Sequence, residues 1–184
     1  MFAISLTDDA QLRPLEVWQA EEFLSNLDRC REHIRPWVGP SFVAENLAEA
    51  REVLGRYANG QAHDGKRIFG IWRDGTLVGG VMFVAFDVKS GVCEVGCWLE
   101  PSAEGHGLVT RSVRVLLDWA FGARGLSRAE WWTIADNAPS IAVAKRLGMS
   151  LDGTLRSSDP GRGGGRRDQQ VWSVLAEEWN SAAA

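Results

Sequence analysis

Three features of this 184-residue chain predict a mixed α/β (α+β) fold, one sheet flanked by helices. A strand at Val92–Leu99 runs into a loop with glycine at 105 and 107, and then into a helix. That helix carries Val109, Val113, Leu116, Leu117, Ala120 and Phe121 at helical spacing. Earlier, Asp74-Gly75 between two apolar runs is a hairpin signal. Strand-like and helix-like segments alternate through the rest, and the length suits one domain over 1–184.

Taken in order, Phe2 to Pro14 reads as an opening strand or hairpin, split at Asp8-Asp9. Glu16 to Cys30 reads as a helix with Trp18, Phe23, Leu24 and Leu27 on its apolar side, followed by an irregular connection through His33, Pro36 and Trp37. Asn46 with Glu49 forms a capping-box pattern, and a helix should run to about Asn59, burying Leu47, Val53, Leu54 and Tyr57. Arg67–Trp72 and Thr76–Phe86 are the hairpin strands, with a bulge expected at Gly79-Gly80. Pro101 ends the strand at 92–99. Arg128–Ile134 is a Trp-rich strand, Asn137 to Ser140 opens a short helix, and Gly148 closes it. Strands follow at Ser150–Leu155 and Asp168–Leu175, then a short helix at Ala176–Trp179. The stretch from Gly161 to Arg167 is rich in glycine and arginine. It is either a mobile hairpin tip or a basic lip for an acidic partner.

Composition excludes several classes. A net charge of −4 and a pI near 5.4 give no basic field for nucleic acid. No run of 18 apolar residues suggests a membrane span, and the N-terminus has no signal-peptide pattern, so a cytoplasmic protein is expected. Cys30, Cys93 and Cys97 are read as buried free thiols; Cys93 and Cys97 lie roughly 13 Å apart at strand rise, too far for a bridge. No His or further Cys is spaced for a zinc site, so no metal is expected.

Glu104-Gly105-His106-Gly107-Leu108-Val109 is the stretch with chemistry in it. The first N–H groups of a helix have no internal partners and lie at the positive end of its dipole. Glycines before them let a phosphate approach the backbone. No Lys-Ser/Thr follows, as a Walker loop requires, and the third glycine of a dinucleotide fingerprint is missing.

This loop resembles motif A of the GNAT acyltransferases, Q/R-x-x-G-x-G/A, and the chain is similar to the RimL/RimJ-like group of that superfamily from end to end. Leu12-Arg13-Pro14-Leu15, the stretch Arg31 to Trp37, Glu94-Val95-Gly96-Cys97-Trp98-Leu99 and Asn137-Ala138-Pro139-Ser140 running into Leu147-Gly148-Met149 carry the likeness, as do Leu151 to Arg156 and Leu175 to Trp179. Two positions depart from motif A: Glu104 replaces Gln or Arg, and Val109 replaces Gly or Ala. Either Glu104 points to solvent or its charge weakens acyl-CoA binding. The resemblance implies a strongly twisted, mixed, seven-stranded sheet, splayed between the strands at 92–99 and 128–134. It implies acetyl-CoA as co-substrate, its pyrophosphate on the amides of Gly105, Gly107, Leu108, Val109 and Thr110. Its pantetheine arm would lie along backbone groups of Cys97 and Leu99, with Asn137 reaching it. A homodimer is a family expectation only.

Acetyl transfer to an amine needs a base, a donor to the carbonyl oxygen and stabilisation of the leaving thiolate. Glu94, on the same strand face as Gly96 and Trp98, is the candidate base; the competing reading is a Glu paired with an Arg. The amide of Cys97 is the candidate donor. The tyrosine many GNAT enzymes use as acid aligns with Ala144 here, so Ser140 is the candidate partner of the sulfur, unless Ser140 and Asn137 merely cap their helix. Arg111 and Arg114 either meet CoA phosphates or are solvated. Trp37, His33 and Trp98 are candidates for lining the acceptor pocket. The expected activity is N-acetylation of a primary amine, either a protein N-terminal α-amino group of ribosomal-protein type or a small aminated molecule such as an antibiotic. The alternatives are use of another acyl-CoA such as succinyl-CoA, or a non-catalytic acyl-CoA sensor.

Overall fold

The computed structural model describes residues 3–161 and 165–182; Arg162, Gly163 and Gly164 of the glycine- and arginine-rich stretch lie outside them. The chain packs as two compact units, Met1–Phe83 with Cys97–Ser112, and Val84–Gly96 with Val113–Ala184.

The first unit opens on the hairpin of β1 (Ile4–Ser5) and β2 (Ala10–Pro14). Next to β2 lies β3 (Arg67–Arg73), antiparallel, and next to β3 lies β4 (Thr76–Asp87). Asp74 and Gly75 both have positive φ, 48° and 78°, as the expected hairpin turn demands. Ile71 pairs with Gly79 but Trp72 pairs with Leu77, so Val78 is the extra residue of a bulge beside the predicted glycine pair. Close approach explains both glycines. A Cβ on Gly79 would come within 2.5 Å of the Trp98 carbonyl oxygen, and one on Gly80 within 2.2 Å of the Trp98 ring.

Helix α1 (Ala20–Ile34) differs from expectation at both ends. Its approach, Val17–Gln19, is a 3-10 turn that turns Trp18 outward to 77% exposure, so the predicted core position of Trp18 is corrected. The helix also runs on past Cys30 to absorb His33 and Ile34, read as irregular from sequence, because Phe23, Leu27, Cys30 and Ile34 form one continuous buried stripe. Helix α2 (Leu47–Ala62) begins as predicted: Asn46 accepts from the Glu49 N–H, and Glu49 reaches back to the Glu45 N–H.

In the second unit, β5 (Val92–Leu99) starts parallel to β6 (Arg128–Ile134), pairing Val92 with Arg128, Cys93 with Ala129 and Glu94 with Glu130. Antiparallel to β6 runs β8 (Arg167–Leu175), and antiparallel to β8 runs β7 (Ser150–Asp159). An ion pair between Asp159 and Arg167 closes the β7–β8 arm beyond the expected strand ends. Helix α3 (Leu108–Asp118) continues into a π turn at Trp119–Ala123, and all six predicted apolar positions are buried. Helices α4 (Ala138–Arg146) and α5 (Ala176–Ala182) complete the chain. The hydrogen-bonded order is β1-β2-β3-β4-β5-β6-β8-β7, one mixed sheet. Among the described residues it has eight strands against seven expected, the short β1 being the addition. Among the described residues, no helix is long and apolar enough to cross a membrane.

Candidate active site

In the first unit, β5 ends at Leu99, a 3-10 turn covers Pro101–Ala103, and the loop from Glu104 leads into α3. Gly105 and Gly107 adopt positive φ, 80° and 71°, which a side chain would strain. Among the described residues, no acceptor meets the N–H of Gly105, His106, Gly107, Leu108, Val109 or Thr110; the first bond of the helix is from Arg111 N–H to the Gly107 carbonyl. Six neighbouring donors are therefore available to an anion.

Both departures from the motif find a physical reason. The Val109 side chain is buried, so it serves the core while its N–H stays free. The Glu104 carboxylate accepts a hydrogen bond from His33 Nε2 at 2.8 Å, held by the last turn of α1. His33, a candidate for the acceptor pocket, thus meets this loop through its Nε2.

The loop's first residues rest on a buried polar network. Trp98 Nε1 donates to Asn26 Oδ1 at 2.7 Å, and Asn26 Nδ2 donates to Glu100 Oε2 at 3.2 Å. Arg29 Nε adds a second donor to that oxygen at 2.8 Å, and Ser102 donates to the other carboxylate oxygen at 2.9 Å. Asn26, Glu100 and Trp98 are all buried, as such groups are only when satisfied. Trp98 is also packed edge-on against Phe23 and Phe42, so it is a core residue and its predicted role as a wall of the acceptor site is corrected. Strand alternation does put it on the Glu94 side of β5; helix α1 simply covers that side at Trp98. Trp37 remains 40% exposed just past α1.

Backbone alternation bears on Cys97 and Leu99. The Glu100 N–H is bonded to the Val78 carbonyl, so the amides of Leu99 and Cys97 point to the opposite edge of β5, past the end of its pairing with β6 at Glu94. The Cys97 thiol, half-exposed by surface yet densely surrounded, has its pKa pushed up to about 12 by burial.

In the second unit, Glu94 and Glu130 are register partners on neighbouring parallel strands. Glu130 is satisfied, accepting from Arg128 Nε at 2.8 Å and from Trp132 Nε1 at 2.9 Å. Arg128 also bonds Asp152 and Ser173. No ion pair to Glu94 is recorded among the described residues, and the reading of Glu94 as an arginine's partner finds no support. Burial first, and the Glu130 charge second, push the Glu94 carboxyl above the ordinary value of 4.5. Asn137 caps α4 through the Ser140 N–H, while the Ser140 Oγ accepts from Trp131 Nε1 at 2.9 Å, leaving its own proton to donate. Arg114 is occupied at the Arg146 carbonyl and over the Trp179 ring; Arg111 is exposed near Gly107. His106 is exposed at the loop.

Sequence reading missed Asn26, Arg29, Glu100 and Trp131. A polar residue inside an apolar helical stripe, Asn26 beside Phe23 and Leu27, was the one available signal.

The chain is matched over residues 10–150 by the family model described as Acetyltransferase (GNAT) domain. It is 28% identical over 183 residues to the "Putative ribosomal N-acetyltransferase YdaF" of Bacillus subtilis (strain 168), covering 97% of this chain and 98% of that one. The fold superposes on RimL, a ribosomal L7/L12 alpha-N-protein acetyltransferase in complex with coenzyme A, with a TM-score of 0.87 at 18% identity, covering 94% of this chain and 97% of that one. It also superposes on the microcin C7 self immunity acetyltransferase MccE in complex with acetyl-CoA and AMP, with a TM-score of 0.83 at 25% identity, covering 94% and 95%. With the strand, glycine-bearing turn and helix all inside the matched range, the chain belongs to the GNAT family of acetyl-CoA-dependent N-acetyltransferases.

Proposed function

We propose that this enzyme, acting as one domain, acetylates a primary amine, and that the α-amino group of a ribosomal protein is the acceptor the full-length likeness supports best. The observation that carries the cofactor side is the row of six free N–H groups from Gly105 to Thr110, which fits a diphosphate. Acetyl-CoA supplies an activated acetyl thioester. Gly105, Gly107, Leu108, Val109 and Thr110 hold its diphosphate by backbone donors, and the exposed Arg111 adds charge beside them. The outward amides of Cys97 and Leu99 offer strand-like pairing to the pantetheine amides, and the Cys97 N–H donates to an acyl oxygen as charge grows on it. Asn137 adds a side-chain contact to the same arm.

Glu94 takes the proton of the attacking ammonium, directly or through water. Its raised pKa suits that task, since a carboxylate held above its ordinary range by burial and by a neighbouring carboxylate is a stronger base. Ser140, its oxygen held by Trp131, donates its free proton toward the leaving sulfur. Trp37, exposed beyond α1, serves the acceptor side. Calorimetry with acetyl-CoA, followed by thiol release against a panel of ribosomal N-terminal peptides, polyamines and aminated antibiotics, tests the proposal. Turnover confined to small amines would discard the ribosomal acceptor; absence of acetyl-CoA binding at millimolar concentration would discard the site. Parallel runs with propionyl- and succinyl-CoA test the acyl preference.

A further inference from the structure

Glu104 is an acid in the wrong place. It stands four residues before the first residue of α3, beside six unpaired N–H groups at the positive end of that helix. A carboxylate is itself an anion that such a row of donors attracts, so Glu104 is a built-in competitor for any phosphate that binds there. Yet its recorded hydrogen bond is to His33 Nε2 on α1, and none among the described residues comes from the loop's amides.

We infer that His33 is a positioning residue for the diphosphate site: it holds the Glu104 carboxylate on α1 and keeps the loop's donors open to the coenzyme. This rests on the acetyl-CoA reading above. The contact does not depend on the charge of the ring, because Nε2 carries a proton and donates both in the imidazolium and in the corresponding neutral tautomer. Stability does not account for it. The two side chains are 43% and 48% exposed, and exposed pairs contribute little to folding. The neighbouring charges on that turn of α1 are committed elsewhere: Arg31 to Asp28, and Arg35 to Glu32 and Glu45. His33 is the group of this turn that meets the loop. When it is removed, the freed carboxylate can fold back onto the amides.

The test is a double-mutant cycle read by calorimetry with coenzyme A and by acetyl-CoA saturation kinetics. His33→Ala should weaken coenzyme binding about 3- to 10-fold, the range of one lost charge-assisted contact. The loss should fall on KM for acetyl-CoA and spare kcat. Glu104→Gln should bind at least as tightly as wild type, and His33→Ala combined with Glu104→Gln should bind like Glu104→Gln alone. That rescue is the signature of removing a competitor, which a merely structural role would not produce. His33→Gln, which keeps an N–H donor, should retain most of the affinity; His33→Leu, which has no donor, should weaken binding like His33→Ala and stands in for it if the alanine variant does not fold. Wild-type affinity in the variant that lacks a donor, or a double variant as weak as His33→Ala, overturns the inference while leaving the acetyl-CoA reading intact. A wild-type protein that binds no coenzyme overturns that reading first, and the inference with it.

Discussion

Glu94 and Glu100 lie six residues apart, at the two ends of the same strand region, and their surroundings could hardly differ more. Glu100 is buried at 7% exposure and takes hydrogen bonds from Asn26, Arg29 and Ser102. Glu94 is half-buried, faces the carboxylate of Glu130, and has no donor recorded among the described residues; burial and that neighbour raise its pKa. A buried carboxylate with its lone pairs satisfied is structural, while a desolvated one with free lone pairs is available for proton transfer. The difference arises outside the strand: α1 brings Asn26 and Arg29 to Glu100, and β6 brings Glu130 to Glu94.

Four measurements would break or sharpen that contrast. The largest effect is expected from Glu94→Gln on turnover: kcat/KM should fall about 10²- to 10⁴-fold, with an unchanged circular-dichroism spectrum, as loss of a general base requires. A variant that turns over like wild type would leave Glu94 without a role in the chemistry. On stability the positions should exchange importance. Glu100→Ala strands Asn26 and Arg29, and urea denaturation should register a loss of about 3 kcal/mol. Trp98→Phe keeps the aromatic packing and leaves the Asn26 oxygen unpaired, for an expected cost of about 1–2 kcal/mol; no loss there would mean the network is dispensable.

The smallest effect is one of pH. Because folding raises the Glu94 pKa, the unfolded chain releases this proton first. Stability from this group is therefore full below the ordinary value of 4.5 and is lost as pH rises through the folded value. Glu94→Gln should stabilise the protein slightly at neutral pH and not below 4.5, when melting temperatures are compared across that range. The same titration places the acid limb of the wild-type rate profile above the ordinary carboxylate range. A limb that survives in Glu94→Gln would assign it to another group.

Most elements were legible because their signals are local. Asp74-Gly75, the Asn46 and Asn137 caps, Gly148 and the apolar stripe of α3 act through neighbours in sequence, and they sit where expected. Errors fell where packing between distant segments decides. Trp18 was assigned to the core on helical spacing, but a 3-10 turn breaks that spacing. Trp98 is an acceptor-wall candidate as an aromatic residue, and its chemistry is silent about the Phe23 and Phe42 rings that pack against it. Glu104 was read against the loop alone, and its partner lies 71 residues away in sequence.

From the order of residues alone come the alternation of strands and helices, the glycines at 105 and 107, the free donors at the start of α3 and the membership of an acetyltransferase family. Backbone conformation and hydrogen-bonding needs are properties of a few consecutive residues, so they can be read directly. Tertiary structure alone decided which carboxylate is tied and which is free, where Trp98 points, and that His33 restrains Glu104. Charge, burial and partnership are properties of what the chain brings together across long separations, and no local pattern encodes them.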